Sequence, residues 1–216
     1  FIEFTMLDDT TQKLTVRVTA LHYFNSFAEL YAVLPKEKLG YAPNETPDPN
    51  HMDAYYFRDK QEKYGVLGIE LRLTDLQKFI DAQEHGYNFG ETYKTALSEM
   101  GQGRKLSHWI WYVFPQIQGL GISSTTAYFS IKDLNEAKDY YTHPVLGSRL
   151  IEITKELLKI QTNDLTTIFG YPDAYKVRSC MTLFKYAAPE NDLFQRVLDK
   201  FCQGNEDENT VEILGT

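Results

Sequence analysis

The spacing of apolar residues changes about one third of the way along this 216-residue chain. Residues 1–6, 13–24 and 65–73 are rich in alternating apolar, aromatic and β-branched residues, a pattern that predicts three β-strands. Between them, Ser26 with Glu29 three positions later predicts a capped helix. Residues 41–50 form a loop rich in proline, and residues 51–63 are expected to form short helical pieces. Three strands leave unpaired edges, so the predicted sheet is incomplete.

From residue 74 onward the apolar residues recur at intervals of three and four, which is typical of amphipathic helices. Thr74 is the expected N-cap of the first one. The predicted helices lie near residues 76–82, 93–100, 104–114, 133–141, 146–160, 165–169, 177–187, 192–201 and 208–214. We therefore place a domain boundary at residues 73/74, with a helical domain over 74–216.

One segment, residues 103–116, contains both tryptophans among basic and aromatic residues. Its apolar positions have the spacing of a helix face and are Leu106, Trp109, Ile110, Val113 and Phe114. This spacing predicts a helix over residues 104–114. Such a face does not require Arg104, His108, Trp111 or Gln116, which makes these four residues the best indication of a site.

Composition and charge limit the function classes. The formal charge of −8 argues against a protein whose main role is to bind bulk nucleic acid, although a local basic pocket is still allowed. Cys180 and Cys202 are too few for a disulfide framework and favour reduced thiols in the cytoplasm. No apolar run is long enough to span a membrane, and no signal peptide is visible. Because the chain begins with Phe1 in a strand-like pattern, we expect further residues upstream.

Arg104, Lys105 and His108 follow a glycine-bounded turn at the predicted start of a helix. Free N–H groups and the positive end of the helix dipole suit an anion there, and arginine adds a bidentate fork. A solvated basic turn is the alternative. His108 is a candidate general acid or base because imidazole titrates near neutrality, and a hydrogen-bonded structural role remains open.

The two tryptophans have different expected roles. Trp109 falls on the apolar stripe and is expected in the core. Trp111 and Tyr112 are candidates for stacking on a planar ring, with packing against the other domain as the alternative. Gln116 would orient a ligand by hydrogen bonding, together with Gln83.

Arg149, Arg178 and Ser179 lie among apolar residues of predicted helices. An arginine in such a segment normally has a partner, because isolated buried charge is costly. The candidate partners are Asp75, Glu152 and Asp173. The functional alternative is that Arg104, Arg149 and Arg178 converge on one anionic ligand.

Histidine spacing excludes a zinc site, because the five histidines show no pairing with one another or with cysteine. His143 precedes Pro144 and is expected to cap the next helix. The motifs for a P-loop, a dinucleotide fold and a serine hydrolase are absent.

Residues 74–216 resemble a bacterial helical family of unknown function that sometimes carries a calpastatin-like label. The matching stretches are 75–79 (DLQKF), 103–105 (GRK), 107–111 (SHWIW), 114–116 (FPQ), 119–121 (GLG), 143–147 (HPVLG), 168–170 (IFG), 176–179 (KVRS) and 181–184 (MTLF). The resemblance implies a helical fold and brings no established reaction with it.

Residues 1–73 resemble the later part of an ASCH domain, a small β-barrel related to PUA RNA-binding modules. The matching stretches are 2–4 (IEF), 14–18 (LTVRV), 34–35 (LP) and 64–70 (YGVLGIE), with Phe24, Ser26 and Phe27. The resemblance implies an RNA-binding role, and the family's main ligand-contacting residues would precede Phe1.

Together these observations predict an α+β protein, with a partial PUA-like β-barrel fragment followed by a compact all-α domain. We expect a small nucleotide-like anionic ligand bound by Arg104, Lys105, Trp111, Gln116, Arg149, Arg178 and Ser179, with His108 as the catalytic candidate. RNA binding through the ASCH-like part and an interaction scaffold without a small-molecule site are the alternatives. Neither a cofactor nor a reaction is specified, and no metal or membrane partner is expected.

Overall fold

The computed structural model describes residues 1–10 and 13–215. The chain divides into two compact units, Phe1–Leu73 and Thr74–Thr216. No helix in the described part of the chain is both long and apolar enough to cross a lipid bilayer.

The first unit contains a three-stranded antiparallel sheet in the order β1-β2-β3. Its strands are β1 (Ile2–Thr5), β2 (Lys13–Phe24) and β3 (Val66–Leu73), which confirms the three predicted strands. Phe4 pairs with Leu14, and the β2–β3 register shifts between Val18 and Ala20. Part of the polar turn predicted between β1 and β2 falls on residues 11 and 12, outside the described residues.

Short helices accompany this sheet. They are α1 (Phe27–Val33) and α2 (Arg58–Tyr64), with 3₁₀ segments at Lys36–Leu39 and Pro49–Ala54. The hydroxyl of Ser26 accepts a hydrogen bond from the Glu29 N–H at 3.2 Å, which confirms the predicted N-cap. The sheet is open, so the mixed α and β class is confirmed, whereas a PUA-like barrel fragment is not.

The second unit is helical. Its helices are α3 (Gln77–His85), α4 (Tyr93–Gly101), α5 (Ile110–Val113), α6 (Ser124–Tyr128), α7 (Leu134–Thr142), α8 (Leu146–Lys159), α9 (Leu165–Phe169), α10 (Asp173–Ala187), α11 (Leu193–Cys202) and α12 (Glu208–Leu214). Helix α10 contacts α7, α9, α11 and α12. Its residues Val177, Cys180 and Phe184 have no exposed surface, so α10 forms the centre of the core. Helix α3 begins at Gln77 with Leu76 in the N-cap position, two residues after the predicted cap Thr74.

The helix predicted over residues 104–114 is confirmed only for Ile110–Val113 and is wrong for residues 104–109. Residues 104–109 form an irregular loop, and Leu106, which was assigned to the apolar face, is 68% exposed. The loop is held by the carboxylate of Glu99, which is only 6% exposed. It accepts hydrogen bonds from the backbone N–H groups of Leu106 and Ser107, while the Lys105 N–H donates to the Ile168 carbonyl at 2.8 Å.

The same carboxylate also binds two side chains of the loop. The Ser107 hydroxyl donates to Glu99 at 2.7 Å, and the Trp109 indole N–H donates at 2.7 Å. Burial acts to raise the pKa of Glu99, but the hydrogen bonds from Leu106, Ser107 and Trp109 outweigh it and hold that pKa below its usual range. The anion that these N–H groups bind is thus a residue of the protein itself.

Candidate functional site

Two lysines share one carboxylate beside the start of α10. The Lys105 ammonium lies 2.7 Å from Asp173 Oδ2, and the Lys176 ammonium lies 2.9 Å from Asp173 Oδ1. The side chain of Lys105 is only 9% exposed, that of Lys176 16% and that of Asp173 15%. We call Lys105, Asp173 and Lys176, together with Trp111, the lysine–tryptophan cluster.

Local structure explains how these side chains meet. The Lys105 N–H donates to the carbonyl of Ile168 in α9 at 2.8 Å, which fixes the 104–109 loop beside that helix. Asp173 is the first residue of α10, and Lys176 follows it by three positions, so both lie on the same side of the helix.

Trp111 carries the Lys176 side chain on its ring. The Lys176 ammonium lies 4.5 Å from the centre of the Trp111 ring, a cation–π contact. The Trp111 indole nitrogen Nε1 is buried and has no hydrogen-bond partner among the described residues. Buried polar groups are nearly always paired, so an unpaired indole N–H beside two lysines is unusual. Trp109, by contrast, is fully buried, as predicted.

The electrostatics of the cluster favour an anion. Two ammonium groups and one carboxylate leave one positive charge in excess at a poorly hydrated site. The N-terminal end of the 15-residue helix α10 adds a partial positive charge close to Asp173. A bound anion would balance this excess.

Three predicted site residues lie on or after the same loop. The side chains of Arg104 and His108 are exposed and form no hydrogen bond or ion pair with the described residues. The main chain of His108 is fixed, because its carbonyl accepts from the Glu91 N–H and the Tyr112 hydroxyl. Gln116 is half-buried, and its carbonyl accepts from the Ile131 N–H.

Arg149 belongs to a network that joins several helices. Its guanidinium pairs with Glu84 of α3 and donates to Gln83 Oε1 at 3.3 Å. The buried Gln83 amide donates in turn to the Tyr112 carbonyl at 2.7 Å and to the Tyr140 hydroxyl at 3.0 Å. These bonds hold α3, α5, α7 and α8 together, so Gln83 acts on the protein's own groups.

Arg178 and Ser179 also have partners within the chain. Arg178 donates to the carbonyls of Asn205 and Glu206 between α11 and α12. The Ser179 hydroxyl donates to the Tyr175 carbonyl in its own helix at 3.0 Å. The Ser179 side chain is buried, and the hydrogen bond within its own helix satisfies its hydroxyl.

The structure does not give the arginines a common partner. Arg149 binds Glu84, Arg178 binds backbone carbonyls, and the Arg104 side chain has no such partner among the described residues. The three candidate partners are engaged elsewhere: Asp75 pairs with Lys78, Glu152 accepts from Tyr93, and Asp173 binds the two lysines.

His143 has the structural role predicted for it. Its ring nitrogen Nδ1 accepts hydrogen bonds from the N–H groups of Val145 and Leu146 at 3.2 and 3.4 Å. It therefore caps the start of α8.

Of the predicted ligand-binding residues, Lys105 and Trp111 meet in the cluster. Sequence reasoning did not select Lys176, and it considered Asp173 only as a partner for an arginine. Their spacing of three at the start of a helix, directly after Pro172, was the available signal.

The fold and the cluster together define a class: an α+β protein whose helical unit carries a partly buried cationic and aromatic site. The family described as "Protein of unknown function (DUF1810)" matches residues 73–214, and the chain belongs to that family. This confirms the helical family resemblance, whereas the ASCH resemblance of residues 1–73 is not confirmed.

A solved structure is similar to the helical unit. It is the conserved hypothetical protein Rv1873 from Mycobacterium tuberculosis, with 39% sequence identity and a TM-score of 0.62. The match covers 66% of this chain and 97% of the other. A search of the curated proteins finds no significant match.

Proposed function

We propose that the helical unit binds a small nucleotide-like anion at the lysine–tryptophan cluster. The main support is that two nearly buried ammonium groups, Lys105 and Lys176, have one carboxylate between them. A phosphate or carboxylate of the ligand would supply the second negative charge.

Further groups support the same proposal. The unpaired Trp111 N–H can donate to an acceptor on the ligand. Arg104 and His108 lie on the loop that carries Lys105, and their exposed side chains are free to reach an anion. Lys176 covers one face of the Trp111 ring. In this proposal Trp111 therefore positions the Lys176 ammonium group, and no ligand stacks on that face.

Isothermal titration calorimetry on the full chain tests the proposal. The probes are inorganic phosphate, ribose 5-phosphate, adenosine and AMP. We expect AMP to bind and phosphate to compete with it. Lys176→Met should weaken AMP binding by about tenfold or more, because one charged hydrogen bond contributes about 1.5–3 kcal/mol.

Lys155→Met is the matched control, because Lys155 is exposed on α8 and has no partner among the described residues. It should leave binding unchanged. No heat from any phosphate-bearing probe, or equal affinities for the Lys176 and Lys155 variants, would refute the site. Equal affinities for phosphate and AMP would support an anion site and contradict a nucleotide-like ligand.

A further inference from the structure

A cleft lies elsewhere in the helical unit, between α9, α10 and the end of α11. Its volume is about 180 Å³. Leu165, Ala174 and Phe201 supply an apolar lining, and Arg178, Tyr175 and Cys202 complete the wall. None of these residues belongs to the lysine–tryptophan cluster.

Arg178 lines this cleft, and it also lines a neighbouring pocket beside Glu208 and Glu212. Its Nε and Nη2 groups donate to the consecutive carbonyls of Asn205 and Glu206. These two nitrogens form one edge of the guanidinium plane, so the edge formed by Nη1 and the second N–H of Nη2 remains available. Arg178 forms no ion pair within 4 Å among the described residues, since both of its partners are neutral carbonyls.

The acidic group at the cleft is directed to its own helix. Asp164 accepts from the Thr166 N–H at 2.8 Å and from the Thr167 hydroxyl at 2.7 Å, and so caps α9. On the other side of Arg178, the Glu206 carboxylate is bound by Lys185 and Tyr186. Arg178 therefore provides the cationic group of the cleft.

We propose that this cleft binds a small carboxylate that carries a short apolar chain. The free edge of Arg178 matches the two oxygens of a carboxylate, and the apolar lining suits a few methylene groups. The inference stands on different residues from the anion site proposed above and does not depend on it.

Cys202 provides a direct readout, because its side chain lines the cleft. The other cysteine, Cys180, is fully buried. Burial raises the pKa of the Cys202 thiol and the nearby Arg178 acts to lower it. Iodoacetate is itself a small carboxylate, and its reaction with the thiolate forms a C–S bond and releases iodide. Iodoacetamide is the uncharged counterpart of the same size.

The experiment measures alkylation of Cys202 in the full chain by mass spectrometry. We expect the iodoacetate-to-iodoacetamide rate ratio to be about fivefold or more higher in the folded protein than in urea. The rate with iodoacetate should saturate, and millimolar butyrate should protect Cys202, whereas butanol should not.

Arg178→Gln should reduce the rate ratio to the value in urea. If the substitution loosens the Asn205–Glu206 segment, Cys202 should react faster with both reagents. The ratio of the two rates would still report recognition of the carboxylate charge. Arg196→Gln, at an exposed arginine of α11, is the matched control and should keep the ratio. If Arg178→Gln does not fold, Ala174→Leu, which fills the cleft, should abolish protection by butyrate. A folded-state ratio equal to that in urea, or no protection by butyrate in the unmodified chain, would overturn the proposal.

Discussion

Replacing Glu99 with glutamine keeps the size of a buried side chain and removes its charge. In the native structure, Oε2 accepts from Leu106 N, Ser107 N and Trp109 Nε1 at 2.8, 3.2 and 2.7 Å. Oε1 accepts from the Ser107 hydroxyl at 2.7 Å. A glutamine carbonyl can take the place of Oε2, while the amide nitrogen faces a hydroxyl that can turn to accept.

The expected loss of stability follows from the change in the group that accepts these hydrogen bonds. Three hydrogen bonds to a carboxylate become bonds to a neutral carbonyl, and each loses about 1 kcal/mol. We therefore expect Glu99→Gln to lower the free energy of unfolding by about 3 kcal/mol. For a unit of this size, that corresponds to a fall in Tm of about 6–12 °C.

Urea unfolding followed by tryptophan fluorescence is the assay, because Trp109 and Trp111 lie at the end of the loop that Glu99 holds. Circular dichroism supplies a second probe of the same transition. Glu156→Gln is the matched control. Glu156 pairs with Lys159 near the surface of α8 at 2.5 Å, and its loss should cost about 0.5 kcal/mol or less.

The pH dependence has a definite sign. Because the pKa of Glu99 is lower in the folded protein than in the unfolded chain, its contribution is present above the unfolded pKa and is lost as pH falls through the folded pKa. The stability difference between the parent chain and Glu99→Gln should therefore shrink on acidification. A difference below about 0.5 kcal/mol at neutral pH, or one that does not change on acidification, would refute this role for the carboxylate.

Three further substitutions test other parts of the helical unit. Gly90→Ala would place a methyl group 2.4 Å from the His108 carbonyl oxygen and should cost about 2 kcal/mol or more in thermal or urea unfolding, whereas Gly101→Ala meets nothing within 4 Å and should not destabilise. His143→Ala removes the cap of α8 and should cost about 1 kcal/mol by the same measurement, and an unchanged midpoint would exclude the capping role. Gln83→Leu removes the amide that donates to the Tyr112 carbonyl and the Tyr140 hydroxyl and leaves only the 3.3 Å bond between those two groups, so we expect a loss of about 1–3 kcal/mol, and an unchanged midpoint would contradict the network.

The elements that sequence periodicity predicted well are those with one buried face. The strands at 13–24 and 66–73 and the helices α9 and α12 have the expected limits. Their patterns are local: apolar residues mark the buried face, and residues such as Ser26 mark a start.

Periodicity failed where side-chain and backbone acceptors outside the predicted helix hold the loop at residues 104–109, namely the nearby Glu99 carboxylate and the distant Ile168 carbonyl. The spacing of Leu106, Trp109 and Val113 was correct for a helix, yet Glu99 in the preceding helix binds the N–H groups of Leu106 and Ser107. A pattern of apolar residues does not record which acceptor an N–H group will use, so this loop could not be predicted from spacing.

Two members of the lysine–tryptophan cluster were among the predicted ligand-binding residues, and two were not. Lys105 and Trp111 stood out because their residue types are unusual in one segment. Lys176 and Asp173 come from α10, about 70 residues later, and ion pairs across that separation depend on how helices pack. The convergence of Arg104, Arg149 and Arg178 was inferred from residue type alone, and packing gave Arg149 and Arg178 different partners.

The sequence by itself determined the strands and most helices, the capping role of His143 and the burial of Trp109, because local spacing and residue type decide these features. The tertiary structure decided the loop around Glu99, the pairing of Lys105 with Asp173 and the position of Lys176 over Trp111. The last two features depend on contacts between segments about 65–70 residues apart, and the loop around Glu99 depends on which acceptor each N–H group meets, so all three are settled only when the helices pack.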